Sequence, residues 1–292
     1  MREPIIVRSI ADLRAVINVW RREGRRIGLV PTMGALHEGH LSLVRLARTH
    51  SDRVIASLFV NPKQFAAHED LDRYPRDEAG DAAKLASAGC DLLFAPQPAE
   101  MYPAGFATAV SVSGVSDDLE GAMRPHFFGG VATVVAKLLL QCLPDTAVFG
   151  EKDYQQLLVI RRLVRDLDIP VAIIAGPTVR EPDGLAMSSR NAYLSPSERS
   201  AAARMNVILK RAVADLERGG EIAAIEHAAK LALDEAGFDP IDYVAVRDAE
   251  DLSALGARVD RPARILAAAW LGATRLIDNF PVLKRPAPGN DA

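Results

Sequence analysis

Cysteine is scarce: the 292 residues hold two, Cys90 and Cys142. Two thiols so far apart build neither a disulfide framework nor a zinc ribbon, and each is expected to fill core space in a reducing compartment. Charge of one sign is lacking too. The formal net charge is −3, which speaks against a polybasic nucleic-acid-binding or membrane-surface protein, though a local basic pocket stays open. No stretch approaches the ~18 apolar residues of a membrane span. The opening MREPIIVRSI has no long apolar core after its arginine, so a signal peptide is not expected. What is present is a 49% hydrophobic composition, enough for a core and too much for intrinsic disorder. A soluble, cytoplasmic globular protein of one large domain or two ordinary ones is expected.

The first ~175 residues alternate short apolar runs with longer amphipathic stretches. Strands are predicted over Ile27–Val30, Val54–Val60, Leu92–Phe94, Ala147–Phe149 and Val171–Ile174, and helices over Leu41–Arg48, Arg76–Ser87, Val131–Cys142 and Gln155–Leu167. Such alternation predicts an α/β fold, a Rossmann-like doubly wound parallel sheet covered on both faces. Near Pro177 the segment GPTVREPDGLAMSSRN gathers Gly, Pro, Asp and Ser and reads as a loop or hinge. Beyond it, helices are predicted over Ser195–Glu217 and Glu221–Ala236, then strands over Tyr243–Arg247 and Arg264–Trp270 and a closing LGATRLIDN. Ser195-Pro196-Ser197-Glu198 is a helix start, with Ser as N-cap, Pro at the first helical position and Glu at the third. The expected organisation is residues 1–177 as the Rossmann-like domain and 178–292 as a smaller C-terminal α+β domain, with the tail KRPAPGNDA frayed.

Four clusters stand out. In Gly28-Leu-Val-Pro31-Thr32-Met33-Gly34-Ala35-Leu36-His37-Glu38-Gly39-His40, a strand leads through glycines into a helix, the place where an open α/β sheet binds ligands. The helix N-terminus offers unpaired N–H groups to phosphate. A P-loop is rejected because Lys-Ser/Thr is missing after the glycines, and a zinc-protease motif because the histidines stand at i and i+3. Two imidazoles at the head of a phosphate-binding helix remain, against an ordinary helix start with a half-buried His40. In Phe59-Val60-Asn61-Pro62-Lys63-Gln64-Phe65, the amides of Asn61 and Gln64 suit a substrate's hydroxyls and carboxylate, or the segment is a plain polar turn.

Phe149-Gly150-Glu151-Lys152-Asp153-Tyr154-Gln155-Gln156 again runs strand, glycine, helix. Lys152 would meet a phosphate and Asp153 a ribose hydroxyl, or the two form a surface ion pair. In Met187-Ser188-Ser189-Arg190-Asn191, two hydroxyls and a guanidinium form a clamp for polyphosphate in a closing loop, or a linker rich in helix caps. His50 and His227 read as helix-face residues and His68 as part of a polar loop. Arg124 to Gly130 precedes an apolar helix, as a pocket wall would, and its purpose does not follow from the residues.

Taken in order, from about Ile27 to Asn279, these segments resemble the pantothenate synthetase (pantoate–β-alanine ligase) family of the nucleotidyltransferase superfamily, which shares its motifs with class I aminoacyl-tRNA synthetases. PTMGALHEGH is similar to the superfamily's H-x-G-H motif, and MSSRN stands where relatives carry K-M-S-K-S. FVNPxQF and FGEKDxQQL are more specific to the family. One departure is Arg124-Pro125-His126-Phe127-Phe128-Gly129-Gly130-Val131 where members often read RPGHFxGV, so His126 is given no role.

The resemblance implies ATP-dependent condensation of (R)-pantoate with β-alanine through a pantoyl-adenylate, giving pantothenate, AMP and diphosphate. It places Met33, Gly34, Ala35, Leu36, His37, Glu38, Gly39, His40, Gly150, Glu151, Lys152, Asp153, Val179, Met187, Ser188, Ser189 and Arg190 around ATP. Gln64 and Gln156 would hold pantoate, with Gln64 also near β-alanine. His40, as proton donor, with His37, Lys152 and Arg190 would serve catalysis. It further implies Mg2+ with the ATP, ligands unassigned, and a homodimer, with no nucleic-acid or membrane partner. Two rival readings remain: another nucleotidyltransferase, which would keep the nucleotide in its product, and a non-catalytic nucleotide-binding protein on the same fold.

Overall fold

The computed structural model describes residues 3–66, 71 and 73–283; the expectations for His68 and for the tail at 284–292 lie outside them. The described residues fall into two compact units that part between Val179 and Arg180.

The first unit runs β1 (Ile5–Val7), α1 (Ile10–Arg22), β2 (Ile27–Thr32), α2 (Glu38–His50), β3 (Arg53–Leu58), α3 (Glu78–Ala88), β4 (Leu92–Phe94), the short α4 (Pro98–Met101) and α5 (Glu120–Met123), α6 (Phe127–Cys142), β5 (Thr146–Gly150), α7 (Tyr154–Asp166) and β6 (Ala172–Gly176). All six strands pair in parallel, in the order β1-β4-β3-β2-β5-β6. Strand periodicity divides the apolar residues between two faces. Val30, Val54, Ala56, Leu93 and Val148 join α2 and α3 in one cluster. Leu29, Ile55, Leu92, Phe94 and Ala147 alternate with them and are equally buried. The other helical layer holds α6 and α7 against β2, β5 and β6, with α1 packed on α6. Burial on both faces is why these strands read as continuous apolar runs.

Helix α2 begins three residues before the predicted Leu41. It buries Leu41, Val44 and Ala47, while Leu43 and Leu46 are half-buried beside that cluster. Leu43 lies over Gly176 at the end of β6, where a Cβ would sit 2.1 Å from its Cδ2. The strand expected to reach Val60 stops at Leu58. There Phe59 N–H donates to the Thr32 carbonyl, and Pro62–Gln64 then form a single tight turn. Cys90 and Cys142 are free and buried, and burial pushes both thiols up to about 12. Their role is packing.

The second unit runs α8 (Pro196–Ala202), α9 (Arg204–Glu217), α10 (Ile222–Glu235), β7 (Ile241–Asp248), β8 (Ala263–Leu271) and β9 (Thr274–Val282). Its antiparallel sheet, with β8 central, packs on α9 and α10 around Leu209, Leu233, Phe238 and Ile265. The fold is therefore the expected α/β sheet followed by a smaller α+β unit. The single helix predicted over Ser195–Glu217 breaks at Ala203. Its start is as predicted: Glu198 N–H donates to Ser195 Oγ and Ser195 N–H to the Glu198 carboxylate. No helix among the described residues is long and apolar enough to cross a membrane.

Leu85 of α3 is fully buried in the cluster that also holds Val54, Ala56 and Leu93 of the sheet. Leu85→Ala is expected to cost about 2–5 kcal/mol in urea unfolding; a loss below about 0.5 kcal/mol, within the range of an ordinary surface change, would contradict this packing.

Candidate active site

In an open parallel sheet, ligands bind outside the carboxyl ends of the strands where the strand order reverses. Here β2 is flanked by β3 and β5. From the carboxyl ends of β2, β3, β5 and β6 issue Met33–His40, Asn61–Gln64, Gly150–Asp153 and Pro177–Val179 in turn. The pairing of β2 with β5 and of β2 with β3 thus gathers three of the four sequence clusters on one edge of the sheet.

After β2 the chain turns sharply, with Gly34 at φ 91° and Ala35 at φ 51°. The left-handed conformation costs an alanine about 1–2 kcal/mol, so the turn needs support. Asp81, from α3, provides it: its carboxylate is 1% exposed and accepts the N–H groups of Ala35 at 2.9 Å and Leu36 at 2.8 Å. Lys84, one turn on, donates to the Leu36 carbonyl at 2.8 Å. The sequence reading missed both residues, since neither stands in a motif.

His37 then caps α2, its Nδ1 accepting the Gly39 N–H at 3.2 Å, and His40 Nδ1 accepts the His37 N–H at 3.3 Å. The rings lie 4.1 Å apart. With both Nδ1 atoms accepting, the ring proton of each neutral imidazole is assigned to Nε2. Burial, then the charge of Lys152, pushes His37 down to about 4. Burial, then His37 and Lys152, pushes His40 down to about 3. Near pH 7 the pair therefore consists of neutral Nε2–H donors and contributes no cationic charge. Glu38 is exposed and pairs with Arg45, while Met33 and Gly39 are half-buried.

At the end of β3, Asn61 is 1% exposed and its amide is fully used. Its Nδ2 donates to Gln64 Oε1 and to the Gly130 carbonyl, both at 3.1 Å, and its Oδ1 accepts from Tyr102 Oη at 2.8 Å. Asn61 therefore holds Gln64 in place. Gln64 Nε2 donates to Met33 Sδ at 3.0 Å, a weak acceptor that a carboxylate easily displaces.

The segment whose purpose was not legible backs this turn. Arg124 donates to the Gln64 carbonyl at 3.2 Å. Gly130 lies so close that a Cβ there would meet the Lys63 carbonyl oxygen at 2.3 Å. At the end of β5, Lys152 is half-buried and lies 3.6 Å from the exposed Asp153. Gln156 is half-buried and makes no hydrogen bond to a described side chain, while Gln155 is spent on the Val115 and Asp118 carbonyls.

Met187–Arg190 belongs to the second unit and is tied to it. Arg180 pairs with Asp278 of β9 through contacts of 2.7 and 2.9 Å and donates to the Gly184 carbonyl. Asn191 donates to the Ala186 carbonyl, and Ser188 Oγ accepts the Arg190 N–H at 3.3 Å, capping a short turn. Of the two readings of Ser188, the cap is what the structure shows; Ser189 and Arg190 lie in the turn it starts. Among the described residues no group of three or more His, Cys, Asp or Glu side chains is arranged to hold a metal ion.

Against known proteins, a family model described as pantoate-beta-alanine ligase matches residues 5–281. The chain belongs to the pantoate–β-alanine ligase family. A pantothenate synthetase of Caulobacter vibrioides is 62% identical over 284 residues, covering 97% of this chain and 100% of the relative. One from Paramagnetospirillum magneticum is 62% identical, covering 95% and 97%. Among solved structures, the Thermus thermophilus pantothenate synthetase matches with a TM-score of 0.90 at 48% identity, covering 96% of this chain and 99% of that one. A Francisella tularensis pantoate-beta-alanine ligase, solved with a β,γ-ATP compound and β-alanine, matches with 0.81 at 35%, covering 95% and 97%.

The histidine shifts carry a testable pH dependence. A histidine whose folded pKa lies below its unfolded value of about 6.5 contributes its full stability above that value. The contribution drains away as pH falls toward the folded values of about 4 and 3. Between pH 6 and pH 5, wild type is expected to lose about 1 kcal/mol more than His40→Gln in urea unfolding; equal losses would show that His40 titrates normally.

Proposed function

We propose that this chain condenses pantoate with β-alanine at the expense of ATP, giving pantothenate, AMP and diphosphate through a pantoyl-adenylate. The protein is a ligase forming an amide bond, and one observation carries the mechanism: three loops issue from the carboxyl ends of adjacent parallel strands, and the first of them sets two Nε2–H imidazoles at the head of α2. In the first step a pantoate carboxylate oxygen attacks the α-phosphorus and diphosphate departs with the electrons of the broken P–O bond. The transition state places negative charge on phosphate oxygens. Donors already oriented, in a half-buried setting, stabilise that charge without reorganising. His37, His40 and Lys152 are those donors, and the α2 N-terminus adds its dipole.

In the second step the β-alanine amine attacks the activated carbonyl, AMP leaves, and the amine gives up a proton. Gln64, held from behind by Asn61 and Arg124, orients pantoate, with Gln156 as the second amide. Asn61 thus acts through Gln64. Met33–His40, Gly150–Asp153 and Val179 would surround ATP, and the same reading gives ATP contacts to Met187, Ser188, Ser189 and Arg190, whose hydroxyls and guanidinium suit a polyphosphate. In this reading residues 1–177 bind ATP and pantoate, and 178–292 serve as the lid. Magnesium would arrive with the ATP phosphates and would offset their charge, since among the described residues no group of three or more His, Cys, Asp or Glu side chains is arranged to hold it. Action in the cytoplasm as a homodimer is carried by the family resemblance.

The test is exchange of labelled diphosphate into ATP. With pantoate alone exchange is expected, and AMP should accumulate only when β-alanine is added. Exchange that needs no pantoate, or a product retaining the nucleotide, would favour a different nucleotidyltransferase.

A further inference from the structure

Asp81 and Lys84 stand one turn apart on α3 and together hold three backbone groups of two residues, Ala35 and Leu36, in the loop after β2. Asp81 accepts the Ala35 and Leu36 N–H groups, and Lys84 donates to the Leu36 carbonyl. Asp81 has room to do so because residue 34 is glycine, where a Cβ would lie 3.1 Å from its Oδ2. The gripped residues include the left-handed Ala35 and end immediately before His37. Resting on the ligase reading above, we propose that Asp81 is a positioning residue for the adenylation step, which with Lys84 brackets the 34–36 turn so that the His37 and His40 Nε2–H groups meet the reacting phosphate.

The proposal follows from what each partner does. A plain surface ion pair would leave both side chains exposed and facing one another. Here the carboxylate is buried and spends both oxygens on backbone N–H groups, while the Lys84 ammonium, 3.8 Å from it, turns to a backbone carbonyl. Two of the three backbone groups belong to the residue preceding His37. A displacement of the turn is therefore carried directly into the cap of α2, and a donor misplaced by about 1 Å costs roughly 100-fold in rate.

Asp81→Asn keeps the shape but offers one acceptor and one donor, so one backbone N–H loses its partner. In pantoate-dependent diphosphate–ATP exchange, kcat is expected to fall by about 100-fold while KM for ATP moves little, and the 15N imidazole spectra of His37 and His40 should lose the wild-type Nε2–H pattern. A folded Asp81→Asn with wild-type kcat and unchanged imidazole spectra would overturn the proposal. If that variant does not fold, Lys84→Gln decides, because its side chain is largely exposed. It should lower kcat and raise the His37 titration point by removing one of the cationic charges that depress it. No change in either overturns the proposal. Were the wild type to show no exchange at all, the ligase reading would fail, and the imidazole spectra would still test the bracket.

Discussion

The site depends on one backbone pairing, that of β2 with β5. Gly28 and Leu29 lie beside Thr146 and Ala147, strands separated in sequence by two further strands and most of the helices of the first unit. This pairing brings the H-x-G-H loop beside the Gly-Glu-Lys-Asp loop and aims both at the same edge. Because all six strands of the first unit are parallel, the loops at that edge lead from strand carbonyls to helix N–H groups, an arrangement suited to anions. The remainder of the first unit fixes these loops at close range: Asp81 the first, Asn61, Tyr102 and Arg124 the second.

On the proposed reading, this is how a chain of net charge −3 holds a polyphosphate. Its global charge says little about its pocket. The two imidazoles bring directed N–H groups without charge, since burial and neighbouring lysines keep them neutral. Fixed dipoles in a partly desolvated site stabilise developing charge effectively, and they leave the resting site without a cluster of unpaired cations. Cationic charge enters through Lys152 and Lys84 around the pair.

Most of this was legible in the residues. The alternation of apolar runs with amphipathic stretches revealed the sheet because strands buried on both faces have a strong signal. The Ser195–Glu198 cap was readable because a capping box is local. Strand β1 was missed because it has three residues, two of them exposed isoleucines. Helix α1 was passed over although Leu13, Ile17 and Trp20 mark its face. Within the candidate site, the motif residues were singled out by type and spacing, and their proposed contacts by the family resemblance. Asp81, Lys84, Tyr102 and Arg124 were not assigned roles there, because each acts across tens of residues of sequence and their identities alone announce nothing. The neutrality of the histidines likewise depends on burial, which a motif does not encode.

The central claim is that the reacting phosphates sit at the β2–β5 edge. A crystal structure with a non-hydrolysable ATP analogue and pantoate tests it most directly. The account predicts phosphate oxygens within hydrogen-bond reach of His37 or His40 Nε2 and of Lys152 Nζ, with the pantoate carboxylate beside Gln64. Phosphates bound away from both strand ends, with these side chains unengaged, would contradict it.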